Sequence, residues 1–123
     1  MQIFGRAVKK SPSSSLQSVQ FLMDQDGPME RTIKAKLCEF FHDVLQLEEA
    51  YFVRVSYPGG VQGVALCVYG TPELDHEMVL KGVSNVYGRI VQHAPQGLHT
   101  IFLTPAQKID IAKVCRSFFS REI

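Results

Sequence analysis

Three cysteines and four histidines carry the widest chemical repertoire in this chain of 123 residues. Cys38 and His42 stand four apart, so on a helix they are neighbours that can form a thiolate and imidazole pair or half of a metal site. A metal there needs two further ligands, and no second Cys/His pair has ligand spacing. Cys38 also flanks the apolar Leu37/Phe41 stripe, which reads as core. Cys67 lies between Leu66 and Val68 inside a strand, whereas a nucleophilic cysteine is presented at a strand end or helix N-terminus, where amide dipoles lower its pKa. Cys115 is read inside a last helix beside Ile111 and Phe118, again as packing. Asp75-His76-Glu77, His93 and His99 supply acids and bases, but carboxylates in a first helical turn are accounted for by the helix dipole.

The remaining polar motifs point away from nucleotide and nucleic-acid chemistry. Pro58-Gly59-Gly60 joins two strands, whereas a phosphate cradle needs a helix N-terminus behind it. Lys9-Lys10, Arg31, Lys34 and Lys36 are interleaved with acidic residues and lack an aromatic platform, so they read as solvated faces. Thirteen basic and twelve acidic side chains leave a net charge of +1, which gives no overall attraction to nucleic acid or anionic lipid. Catalytic, cofactor and metal residues are therefore expected to be absent, and any partner is recognised locally.

The elements that position these residues follow from patterning. Ala50 to Tyr69 holds two runs rich in β-branched and aromatic residues, joined by Tyr57-Pro58-Gly59-Gly60. Pro58 presets φ for the first corner and Gly59 tolerates positive φ at the second, so an antiparallel hairpin is expected. Tyr51, Val53 and Val55 share one face with Phe52 opposed, and Val64, Leu66 and Val68 alternate with Ala65 and Cys67. Both faces are apolar, which predicts central strands covered by helices. Met29, Ile33, Leu37, Phe40, Phe41 and Val44 form one helical stripe between Met29 and Leu45, introduced by Asp26 and Pro28. A second helix is expected over Leu74 to Gln92, with Met78, Val79, Val83, Val86, Tyr87, Ile90 and Val91 inward and Gly82 and Gly88 allowing close approach to the sheet.

Val19 to Leu22 reads as a short edge strand, the residues from Ala94 to Gly97 as a turn, and Leu98 to Leu103 as a third strand. Ile109 to Phe119 is expected as a short helix after a break at Pro105. Residues 1 to 15, with Lys9-Lys10-Ser11-Pro12 and a serine run, have no periodicity and read as a flexible arm. Residues 16 to 123 are expected to form one α+β domain: a small mixed or antiparallel sheet with a central hairpin, two long helices and a short C-terminal helix. At this length one hydrophobic core suffices, and 46% hydrophobic against 20% charged residues is the balance of a globular chain. The odd cysteine count without C-x-x-C spacing suits a reducing compartment. No apolar run reaches the roughly 18 residues of a membrane span, and no secretory segment follows Met1 to Arg6, so the cytoplasm is the expected location.

Val19-Gln20-Phe21-Leu22 with Pro28, Glu49-Ala50-Tyr51-Phe52-Val53, Val64-Ala65-Leu66-Cys67-Val68 and Ser117-Phe118-Phe119 together resemble the C-terminal domain of the enhanced serine sensitivity (SseB) family of bacterial proteins. The resemblance spans about residues 19 to 119 and rests on the order and spacing of the segments. Ser117-Phe118-Phe119 stands where that family closes on a Pro-Phe-Tyr-like tail. The resemblance implies the fold, a stand-alone C-terminal module and a bacterial cytoplasmic setting, and it transfers no catalytic residue.

A non-enzymatic domain that binds another protein, or a second copy of itself, is the expected function. Its contact is expected at a sheet edge or at Phe118, Phe119 and the turn residue Tyr57. Two alternatives stand beside it: a small thiol or sulfur-handling accessory enzyme using Cys67 or Cys38, and an immunity or antitoxin-like protein.

Overall fold

A computed structural model describes residues 19–91 and 98–121. The arm expected over residues 1 to 15, His93 and the turn over residues 94 to 97 lie outside the described residues. In chain order the elements are β1 (Gln20–Asp24), α1 (Pro28–Phe41), β2 (Leu47–Ser56), β3 (Gln62–Gly70), α2 (His76–Ile90), β4 (His99–Phe102), α3 (Pro105–Ala112) and β5 (Phe119–Ser120). They form an α+β fold around one five-stranded mixed sheet, ordered β1-β2-β3-β4, with β5 added to β2. Among the described strands only β3 and β4 run parallel, joined across α2; β1, β3 and β5 all pair antiparallel with β2. Because β3 occupies one whole side of β2, β1 and β5 share the other.

The central hairpin forms as its sequence demands. Gly60 N–H donates to Tyr57 O at 3.0 Å, and Gly59 takes φ of +91°, the left-handed corner of a type II turn. Alternation then sorts the strand residues onto two cores. Phe52, Leu66 and Val68 lie under Ile33, Leu37 and Phe41 of α1 and Val79 and Val83 of α2. Tyr51, Val53, Val55, Ala65 and Cys67 face the opposite way, beneath Ile111 of α3 and Cys115. Each fully buried leucine, valine or phenylalanine contributes about 1.5–3 kcal/mol, so this two-sided burial is the main driving force for the sheet.

Three expectations are corrected. The last helix starts at Pro105 and ends at Ala112, before the region predicted to be its second half. Thr104 explains the start: its Oγ1 accepts from Gln107 N–H at 3.1 Å while Gln107 Oε1 accepts from Thr104 N–H at 2.9 Å, a capping box with proline in the first turn. Cys115, Phe118 and Phe119 consequently leave the helix and run back to β2. Gly82 serves helix packing, since a Cβ there would land on the Phe40 ring of α1, whereas Gly88 faces open space. Met29 and Met78, placed on the inward stripes, are exposed.

The returning tail is held by three devices. Phe118 N–H donates to Ala50 O at 2.9 Å and Phe119 pairs with Ala50 in β5. The Phe119 ring, only 6% exposed, sits edge-on to Phe41 with centroids 5.7 Å apart. Arg121 donates from Nη2 to Phe41 O and Val44 O at 2.9 and 3.1 Å and from Nε to Leu47 O at 3.1 Å. The Phe41 carbonyl ends α1, Val44 lies in the turn after it and Leu47 opens β2; the last turn of α1 holds no basic residue of its own, so Arg121 supplies its C-terminal positive charge from the far end of the domain.

Candidate functional site

Asp24, Asp26, Lys34 and Cys115 gather where β1 and β5 leave a gap along β2. Gln25 N–H donates to Phe52 O at 3.1 Å on one side of the gap, and Phe118 N–H reaches Ala50 on the other. A cleft of about 700 Å³ opens there, lined by Asp24, Asp26, Lys34, Cys115, Arg116 and Phe118 among others. Lys34, 9% exposed, places Nζ 3.3 Å from Asp24 Oδ1 and 3.1 Å from Asp26 Oδ1, and Arg31 Nη2 lies 3.3 Å from Asp26 Oδ2. The hydrogen bond from Lys34, helped by the one from Arg31, holds the Asp26 carboxyl below the usual carboxylate range. The Lys34 ammonium is thus matched by the two carboxylates beside it.

Burial keeps the thiols protonated. Cys115 is pushed up to about 12, first by burial and then by the Asp24 carboxylate, whose Oδ1 lies 3.6 Å from Sγ. Burial also raises Cys67, which is fully inaccessible, and Cys38, whose thiol donates to Phe118 O at 3.4 Å. A raised thiol pKa depletes the thiolate, which is the nucleophilic form. Cys38 and His42 make separate contacts, since the His42 ring packs edge-on against Phe119. Among the described residues no group of three or more His, Cys, Asp or Glu side chains is arranged to hold a metal ion.

The opposite edge of the sheet is built differently. β4 spans His99–Phe102 and pairs with β3 on its inner side alone among the described strands. Leu103 N–H donates to Val68 O at 2.8 Å, which sets the phase of the ladder. Backbone groups of alternate residues point to opposite edges, so His99 and Ile101 turn theirs toward β3 while Thr100 and Phe102 turn theirs outward. The strand has no proline, no lysine and no bulge, the devices that usually close an edge. β1, by contrast, is bulged between Phe21 and Met23.

Helix α2 lies over this open edge. His76, in its first turn, stacks on Phe102 with ring centroids 3.7 Å apart, and Tyr87, eleven residues on, shares a groove with Leu98 and His99. Gly82 and Val86 face α1 on the other flank, in the groove that holds Phe40. Helical spacing therefore places Leu80, 43% exposed, and Ser84 between His76 and Tyr87 on the flank turned away from α1.

Of the three expected contact residues, Tyr57 closes the near end of β4: its Oη lies 2.5 Å from His99 Nδ1 in a hydrogen bond. Burial raises the Tyr57 pKa and lowers that of His99, so both are neutral at pH 7. Phe119 is spent on the core, and Phe118 is half-buried at the cleft. The structure brings none of these three to one surface. Sequence reasoning passed over Thr100, Phe102 and Leu80; the signals were an uncharged strand and the four-residue step from His76 to Leu80.

No protein-family model, curated protein or solved structure matches the chain.

Proposed function

We propose that this is a non-enzymatic, bacterial, cytoplasmic domain that acts by binding another protein along the outer edge of β4. The observation that carries the reading is the phase of the β3/β4 ladder, which leaves the N–H and C=O groups of Thr100 and Phe102 outward on an uncharged strand. An added strand satisfies such groups with main-chain hydrogen bonds and reads alternate side chains for specificity. The bacterial cytoplasmic setting comes from the resemblance to the enhanced serine sensitivity family. It is compatible with the described helices, none of which is long and apolar enough to cross a membrane.

A photo-reactive phenylalanine placed at position 100 in the native host tests the reading, with the same group at Glu73, an exposed loop residue on the turn before α2, as control. A discrete protein adduct from position 100 and none from position 73 is the expected result. Adducts from position 73 alone, or from neither position, would remove the β4 edge as the binding surface.

A further inference from the structure

We propose that the protein bound at this edge is a second copy of the chain, joined β4 to β4 across a two-fold axis at Ile101. The inference rests on the reading of β4 as the binding edge and adds the identity and register of the partner.

The first argument is symmetry. A two-fold axis normal to the sheet sets two β4 strands antiparallel. With Ile101 opposite itself, Thr100 faces Phe102 of the other copy, and Phe102 faces Thr100. Both members of each pair carry outward N–H and C=O groups, so each pair exchanges two hydrogen bonds and the ladder closes with four. A register displaced by one residue would oppose an outward residue to an inward one and lose those bonds. Displacement by two residues restores outward pairs, but only the register centred on Ile101 pairs both Thr100 and Phe102 within the His99–Phe102 strand.

The second argument is charge. Self-pairing lays two copies of one strand side by side, so any net charge on the strand is set against the same charge on its copy. Residues 98 to 103, Leu-His-Thr-Ile-Phe-Leu, contain no Lys, Arg, Asp or Glu. The β1 strand ends in Asp24, which is tied to Lys34, so the same operation there would bring two such ion-paired clusters together.

The third argument is the helix above. The same axis runs the two α2 helices antiparallel over the joined strands and turns their exposed flanks toward each other. Leu80, the exposed apolar residue of that flank, then faces the other copy's α2 beside the small Ser84. The ladder and the helix flank thus supply a polar and an apolar contact on one continuous surface, as stable interfaces require.

Sedimentation equilibrium over a range of concentrations tests the proposal with the full chain. The parent protein is expected to approach twice the 13.8 kDa chain mass. Thr100→Pro is expected to remain monomeric, because it removes an outward N–H while leaving every β3/β4 bond in place. Leu80→Lys, at a position whose exposure spares the fold, is expected to shift the equilibrium toward monomer by setting two lysines face to face. Retained far-UV circular dichroism identifies folded variants, and Leu80→Lys keeps the test valid if Thr100→Pro unfolds. A parent protein monomeric to its solubility limit, or a dimer that persists in both folded variants, overturns the second-copy inference. The mass of the position-100 adduct separates this from failure of the binding reading. An adduct of twice the chain mass supports the second copy, an adduct of another mass overturns it and keeps β4 as the binding edge, and no adduct overturns both.

Discussion

The two edges of this sheet are treated in opposite ways. Along β2, the β1 edge is crowded: β1 is bulged, β5 is laid beside it, and the gap between them holds Lys34, Asp24, Asp26 and Cys115 in mutual contact. Along β4, nothing comparable among the described residues stands against the outward groups of Thr100 and Phe102. The charged edge is where a search for chemistry would begin, yet its charges are matched to one another and its thiol is protonated. Ion pairs of this kind hold a chain segment in place, whereas the outer edge of the neutral β4 strand carries no such tie among the described residues.

Substitutions sharpen this contrast in order of expected effect. Phe119→Ala should be the most damaging, destabilising the domain by about 3–4 kcal/mol in a urea or guanidinium midpoint measurement, because it opens a cavity against Phe41 at the closed edge. A loss under about 1 kcal/mol would show that the tail contributes little to the core. Arg121→Ala follows at about 2 kcal/mol, since it removes one charged donor from the carbonyls of Phe41, Val44 and Leu47. Arg121→Lys should recover only part, because an ammonium cannot reproduce the fork that reaches all three. Gly88→Ala should stabilise by about 0.5–1 kcal/mol as an open helical site, while Gly82→Ala should forfeit that gain against the Phe40 ring.

The pH profile separates the two edges more finely. At the closed edge the folded state depresses the Asp26 pKa, so the stability it contributes is present above the unfolded value of 3.8 and is lost as pH falls through the lower folded value. Lys34→Met should flatten denaturation midpoints in that acid range, since Lys34 is the main cause of the shift. At the β4 end burial lowers His99 below 6.5, so its share is present above that value and is lost as pH falls. His99→Gln should remove a shallow dependence there and leave the acid limb intact. Smallest of all should be the reactivity of Cys115, held near 12: iodoacetamide at neutral pH should leave it unlabelled in the folded protein and label it on unfolding. Labelling of the folded protein at any of its three cysteines would favour the thiol-enzyme alternative.

Much of the architecture is legible in the amino-acid order. The Tyr57–Gly60 turn, the two-face alternation of its strands and the i, i+4 stripe of α1 are local or periodic features that propensity and burial dictate together. The start of α3 was legible too, since Thr104-Pro105-Ala106-Gln107 spells a capping box, although Pro105 reads as a break when taken alone. β5 was not legible: two residues carry no periodicity, and its pairing partner Ala50 lies far back in the chain. Nor was the Lys34 cluster, because Asp24 and Asp26 read as turn and cap residues until the sheet brings them against α1.

By itself the chain determined which segments must be strands and helices and which side chains must be removed from water, because both follow from backbone preference and apolar spacing over a few residues. Tertiary structure alone decided which polar groups are consumed and which are left over. Whether Lys34 meets a carboxylate, whether Arg121 meets the end of α1 and whether Thr100 keeps an outward amide depend on segments that approach only when the sheet closes. Hydrogen bonds and ion pairs act over a few ångströms, and no spacing along the chain encodes that distance.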